Sequence, residues 1–261
     1  MRTRTRPWLV ITGLAVCVAA VVGRSQVREA VRASGMAPGP ETAKQWSVAE
    51  RVQQYGEVVR GRLAPDFARV GLPYPPAELV FVVLKAEKSL EVHAAGPGGG
   101  GFRFVRAYPV LAASGITGPK LQEGDRQVPE GFYRVESLNP NSLYHLSLRL
   151  NYPNEFDRRQ ADRVGRGRLG GDIMIHGDAV SIGCVAMGDP ASEDLFVLAA
   201  LTGPEHIRVL MAPRDLRVLP APVPPPGAPD WLATLYKDLG TELRRYPLPA
   251  PAVPADPAPG T

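Results

Sequence analysis

Asp172-Ile-Met-Ile-His-Gly-Asp-Ala-Val-Ser-Ile-Gly-Cys-Val-Ala-Met-Gly-Asp189 decides how the rest of the chain is read. Ile173 to Ile175 form a short apolar run that ends in His176-Gly177, as a buried strand would. Ser181, Gly183 and Cys184 follow after a short loop, and Cys184 is the only cysteine beyond the first 25 residues. A thiol nucleophile needs a base, a group that fixes the base's tautomer, and donors for the oxyanion. His176 supplies the base, and a backbone carbonyl such as that of Gly177 would orient its ring. Gly183 lets backbone approach a substrate closely, so its N–H and that of Cys184 are the candidate oxyanion donors. A buried structural cysteine beside a hydrogen-bonded histidine is the competing reading.

Working outward toward the N-terminus, strand patterns surround this stretch. Leu79–Leu84 is a continuous apolar run, and Leu90–Ala94, Phe102–Tyr108, Gly131–Val135 and Tyr144–Leu150 read as further strands. Alternation in the last of these predicts one buried face carrying Leu146, Leu148 and Leu150. His145 then points the other way, toward the cleft or to solvent. On the C-terminal side, Val180–Ala186 would close the sheet around the site. Asp189 would cap a helix opened by Pro190 and running to Leu201, and His206–Met211 would be the last strand. The expected class is mainly β: a sheet folded over on itself, a β-sandwich with one or two packed helices, over residues 78–215.

The flanks differ in composition. In residues 1–23, Arg2, Arg4 and Arg6 precede an apolar run from Trp8 to Val22, which reads as a signal peptide or a membrane anchor. Either fate implies export, to the periplasm or cell envelope, with inner-membrane anchoring in the second case. Residues 24–77 form a helical and linker segment, with a helix expected over Glu41–Arg62. From 216 to 261 the chain is a proline-rich tail; the whole sequence has 28 prolines. Trp231, Leu232, Leu235, Leu239 and Leu243 mark a short helix at about 230–245, with Asp230 as its cap. The net charge of +4 suits an anionic wall or membrane surface without demanding one, and no nucleic-acid module is evident. One cysteine and scattered histidines lack metal-ligand spacing, so neither a metal nor a cofactor is expected.

The pattern His176-Gly-x3-Ser181-x-Gly183-Cys184 resembles the signature of the L,D-transpeptidase catalytic domain, the YkuD-type fold. Further segments are similar to its YafK-like branch. They are Gly118–Asp125 with Pro129–Tyr133, Asn139–Ser142 with Tyr144–Ser147, and Tyr152–Asn154 with Asp157-Arg158. The resemblance implies an enzyme that acts on peptidoglycan stem peptides through an acyl-enzyme at diaminopimelate, resolved by an amine or by water. Release of a wall-linked lipoprotein is a known variant in that branch; a catalytically silent wall-binding module is the alternative from another class. In most such enzymes an arginine lies two residues after the cysteine. Ala186 stands there instead, which favours hydrolysis over cross-linking. Arg158, Arg159, Arg163, Arg166 and Arg168 lie on a longer loop before the catalytic strand, and Arg168 is the candidate carboxylate contact. Tyr152 and Asn154, in the matching motif, and His145 are further candidate substrate contacts. Ser181 is either a second nucleophile or the hydrogen-bonding residue of the loop that positions Cys184. His93 and His206 read as structural.

Overall fold

The computed structural model describes residues 44–224 and 226–248. The leader at 1–23 and the last proline run therefore lie outside the described residues. Among the described residues no helix is long and apolar enough to cross a membrane.

Helix α1 (Val48–Arg69) starts at Ser47, whose hydroxyl accepts from the Glu50 N–H while the Glu50 carboxylate accepts from the Ser47 N–H. This reciprocal cap sets the start at Val48 rather than Glu41. The helix also runs past Arg62 and through Pro65. Val59, Leu63 and Phe67, spaced four apart, are buried as one stripe, and that burial outweighs the hydrogen bond that Pro65 removes.

Nine strands follow: β1 (Glu78–Leu84), β2 (Ser89–Ala95), β3 (Arg103–Pro109), β4 (Ala112–Ala113), β5 (Gly131–Ser142), β6 (His145–Leu150), β7 (Met174–His176), β8 (Val185–Ala186) and β9 (Ile207–Ala212). They make one sheet in the order β3-β2-β1-β9-β5-β6-β7-β8-β4. The long strand β5 joins its two halves. Its first residues pair with β9 and the remainder with β6, with a register shift between Val135 and Ser137. A bulge bends a strand and raises its twist, and here it turns the sheet over on itself, as the sequence predicts. The inner faces enclose α1 and helix α3 (Asp189–Thr202) in one core that includes Phe81, Leu90, Leu148, Ile175, Phe196 and Val209.

Several expectations need correction. The arginine loop is in part a helix, α2 (Glu155–Arg163), capped by Asn154 and Asp157. Its polar sequence has no apolar periodicity, so only the cap could have announced it. Val180–Cys184 is loop, and only Val185 and Ala186 pair as strand. Helix α3 begins with Asp189 inside it; its cap is Gly188, and the Asp189 carboxylate instead accepts from the Asp178 N–H at 2.8 Å. A 3-10 turn (Pro204–His206) precedes β9, which begins at Ile207. Strand β6 begins at His145, and Ser147 is buried like Leu146 and Leu148, so both of its faces are covered.

The C-terminal helix α4 (Leu232–Leu243) lies on the outer face of the sheet. Leu232, Leu235, Tyr236, Leu239 and Leu243 form a second core with Val80, Val82, Leu84 and Leu210. Both faces of β1 are thus buried, which explains its unbroken apolar run. Trp231, not Asp230, occupies the cap position, and it makes no side-chain cap bond.

Removing buried side-chain volume beneath α4 tests this docking. Leu239→Ala should lower the unfolding free energy by about 2–4 kcal/mol in urea titration; an unchanged midpoint would mean that α4 does not pack there. Helix α2 carries a pH signature. Burial raises the Asp157 carboxyl from 3.8 to about 6, against the opposing hydrogen bonds from Asn154 N–H and Tyr133. The folded chain therefore favours protonated Asp157. That stabilisation is present below the unfolded value and is lost as pH rises through about 6, by on the order of 1–3 kcal/mol. In Asp157→Asn the unfolding free energy should lack this fall between pH 4 and 7.

Candidate active site

The site forms where β7 and β8 run side by side. Ile175 pairs with Val185 and His176 with Ala186, in parallel. Side chains alternate along a strand, so Ile175 and Val185 enter the core while Met174, His176 and Ala186 share the opposite face. Cys184 lies in the loop directly before Val185, beside the strand that ends in His176. The loop between them is tied at several points. Met187 N–H donates to the His176 carbonyl at 2.8 Å, Gly188 N–H to Asp178 at 2.9 Å, and Asp178 N–H to the Asp189 carboxylate. A Cβ on Gly177 would sit 2.6 Å from Asp189 Oδ1 and 2.9 Å from Ser192 Oγ, so this turn closes only on glycine.

His176 is 2 % exposed. Its Nδ1 lies 2.5 Å from the Gly177 carbonyl. A carbonyl only accepts, so Nδ1 carries the proton and Nε2 keeps its lone pair. Burial lowers the imidazole below its ordinary value, against the opposing pull of the Gly177 carbonyl and of Asp178. The Tyr144 ring lies 4.8 Å from the His176 ring, at 34°.

Cys184 is partly exposed and unpaired. Its thiol lies 3.5 Å from the Asp172 carbonyl. Burial raises the thiol above its ordinary value, the Asp172 charge raises it further, and the Met174 backbone bond and Lys120 pull it down. Burial thus disfavours the charged form of both the Cys184 thiol and the His176 imidazole.

The backbone around Cys184 is held by two serines. Gly183 has φ +105°, which a residue with a Cβ rarely adopts. Ser181 Oγ donates to the Cys184 carbonyl at 2.7 Å and accepts from the Ser114 N–H at 3.1 Å. Ser114 Oγ accepts from the Gly183 N–H at 2.6 Å and lies 3.2 Å from Ser181 Oγ. Of the expected oxyanion donors, the Gly183 N–H is thus occupied by Ser114. Sequence reasoning missed Ser114 because it lies 69 residues from Gly183 and in no motif with it. It missed the stacking of Tyr144 for a similar reason.

His176, Gly177, Ser181, Gly183 and Cys184 come together; the remaining candidates lie elsewhere. His145 Nε2 is 3.1 Å from Glu193 Oε1, and its ring meets Tyr55 edge-on. It thereby links α1 to α3. Tyr152 is buried, and its hydroxyl donates to the carbonyls of Lys120 and Leu169. Asn154 uses both ends of its amide, accepting from Asp157 N–H and donating to the Phe132 carbonyl. Arg168 is 85 % exposed and pairs with Glu123 at 2.8 Å. Ala186 is fully buried opposite Ala112, so this position presents no cation. Among the described residues no group of three or more His, Cys, Asp or Glu side chains could hold a metal ion.

Residues 82–209 match the YkuD family, described as the L,D-transpeptidase catalytic domain. YafK of Escherichia coli (strain K12), a provisionally assigned L,D-transpeptidase, is 35% identical over 116 residues, covering 44% of each protein. The chain's match thus spans under half the length of that curated relative. Among solved structures, the helical cell shape determining protein Pgp2 from Campylobacter jejuni aligns over 52% of this chain and 48% of its own. The alignment has 25% identity and a TM-score of 0.42. L,D-transpeptidase 1 of Mycobacterium tuberculosis aligns over 51% of this chain and 61% of its own, at 15% identity and a TM-score of 0.30. The sequence from Val82 to Val209, with its folded-over sheet, belongs to the YkuD-type L,D-transpeptidase catalytic domain family.

Proposed function

We propose that the chain is a cysteine enzyme of the cell envelope that cleaves peptidoglycan stem peptides through an acyl-enzyme. One observation carries this reading: Cys184 directly precedes the strand that pairs in parallel with that of His176, whose Nδ1 is committed to Gly177 and whose Nε2 is therefore a base. Nε2 takes the thiol proton as sulfur attacks the carbonyl on the L-centre of diaminopimelate. The tetrahedral oxyanion is held by the Cys184 N–H, joined by the Gly183 N–H once the Ser114 hydroxyl turns away. The imidazolium then protonates the departing amine as its bond to carbon breaks, leaving a thioester on Cys184. Water, deprotonated by the same nitrogen, attacks the thioester and restores the thiol.

Hydrolysis is favoured over cross-linking because the buried Ala186 provides no guanidinium beside the nucleophile. A charged hydrogen bond of that kind contributes on the order of 1.5–3 kcal/mol. The covalent bond keeps the donor in place without it, whereas an acceptor peptide has only such contacts to hold it against water. Release of a wall-linked lipoprotein is the same chemistry on a different leaving amine.

The direct test gives purified protein defined muropeptides, including tetrapeptide dimers and lipoprotein-linked stems, and separates the products. Shortened stems or released lipoprotein peptide are expected, with turnover down by roughly 10³-fold or more in Cys184→Ala. His176→Gln should lose about 10²–10⁴-fold. New bonds between diaminopimelate residues as the main product would overturn the hydrolytic reading, and inert muropeptides would leave only a wall-binding module. Thiol titration supplies an independent check. Burial and Asp172 both favour the neutral thiol, so alkylation by iodoacetamide should rise with pH to a midpoint above that of a free cysteine. Asp172→Asn should move that midpoint down.

A further inference from the structure

The outer face of the sheet is only half covered. Helix α4 lies over β1 and β9, and beyond it β5, β6 and α2 border an open groove of about 820 Å³. Five arginines line this groove: Arg134, Arg149, Arg158, Arg159 and Arg208. Three have carboxylate partners. Arg149 lies 3.0 Å from Glu136 and 2.9 Å from Asp172, Arg159 pairs with Glu155, and Arg208 lies 3.3 Å from Glu242. Arg134 and Arg158 form no ion pair among the described residues. Arg134 also stands directly across from Arg208 in the β5–β9 register. Like charges in that relation repel, and no carboxylate in the described chain neutralises the first of them.

Asp172 links the groove to Cys184: its carboxylate lies 2.9 Å from Arg149, and its carbonyl lies 3.5 Å from the Cys184 thiol. Arg149 pairs with Met174 in the β6–β7 register. Arg149 and Met174 therefore share one face of the sheet, with Cys184 in the loop just before the next strand. Gly170 and Gly171 line the groove and lead into Asp172, whose carbonyl faces the thiol. Three strand spacings separate the Cys184 position from β5, roughly 14 Å. An extended tetrapeptide spans about that length.

We propose that this groove is the carboxylate-binding arm of the site, and that Arg134 and Arg158 hold a carboxylate of the stem peptide whose carbonyl lies over Cys184. The assignment rests on the function proposed above. It moves the cationic contact from Arg168, which Glu123 already engages, to two guanidiniums that form no ion pair among the described residues.

Binding can be measured apart from chemistry. Full-length Cys184→Ala protein is titrated calorimetrically with a stem tetrapeptide and with the same peptide carrying amides at every carboxylate. The acid form should bind, and Arg134→Ala with Arg158→Ala should weaken it tenfold or more. Lysine at both positions should restore part of the loss, and the amidated peptide should be insensitive to all these changes. Equal binding of acid and amide forms, or an unaltered affinity in the double alanine variant, would overturn the proposal. So would inorganic phosphate binding that depends on both arginines while the peptide acid does not bind. Should Cys184 prove unreactive while arginine-dependent peptide binding persists, the catalytic reading alone would fall.

Discussion

The parallel pairing of Ile175 with Val185 and of His176 with Ala186 brings together strands separated only by residues 177–184. Parallel neighbours ordinarily require a crossover of a dozen or more residues. Here the strands are so short that a tied loop suffices. The tie is made by Asp189, which enters helix α3 and accepts from the Asp178 N–H, and by Gly177, where no side chain fits. The register then fixes the chemistry. A shift by one residue would send either Cys184 or His176 to the core side. The buried Ile175–Val185 pair prevents that shift, so hydrophobic burial beneath the site aligns its polar groups above.

A second constraint holds the segment before β5. Glu130 is 1 % exposed and lies 2.9 Å from Lys85 Nζ. It also accepts from the Gly118 N–H at 2.8 Å and from the Tyr236 hydroxyl at 2.7 Å, and Lys85 donates to the carbonyls of Gly118 and Val128. Desolvation lowers the Lys85 pKa while Glu130 opposes it. Deleting one partner of such a pair leaves a buried charge uncompensated. The network joins β1, the segment leading into β5, and α4, which makes the C-terminal helix part of the architecture around the site. Ser114, in the same connection between β4 and β5, reaches Gly183 from the other side.

The electrostatics of the two halves of the outer face differ accordingly. At Cys184 and His176, burial disfavours the charged form of both groups. Along β5 and α2, five guanidiniums gather, and Arg134 and Arg158 form no ion pair among the described residues.

The sequence by itself determined what local pattern can encode. The apolar runs of β1, β2 and β9, the His176-Gly177 strand end, the Gly183-Cys184 turn and the leucine spacing of α4 are all legible, since burial imposes periodicity and special backbone conformations select glycine. Motif resemblance added the family and the missing arginine at Ala186. The tertiary structure alone decided which distant groups meet. Ser114 occupies the Gly183 N–H, Tyr144 stacks on His176, Glu193 takes His145, and Glu123 takes Arg168. Asn154 and Asp157 became a helix cap within a polar run that has no apolar stripe. These outcomes depend on long-range pairing and on which face each strand buries. A one-dimensional pattern carries the preference of each residue but not the identity of its neighbour.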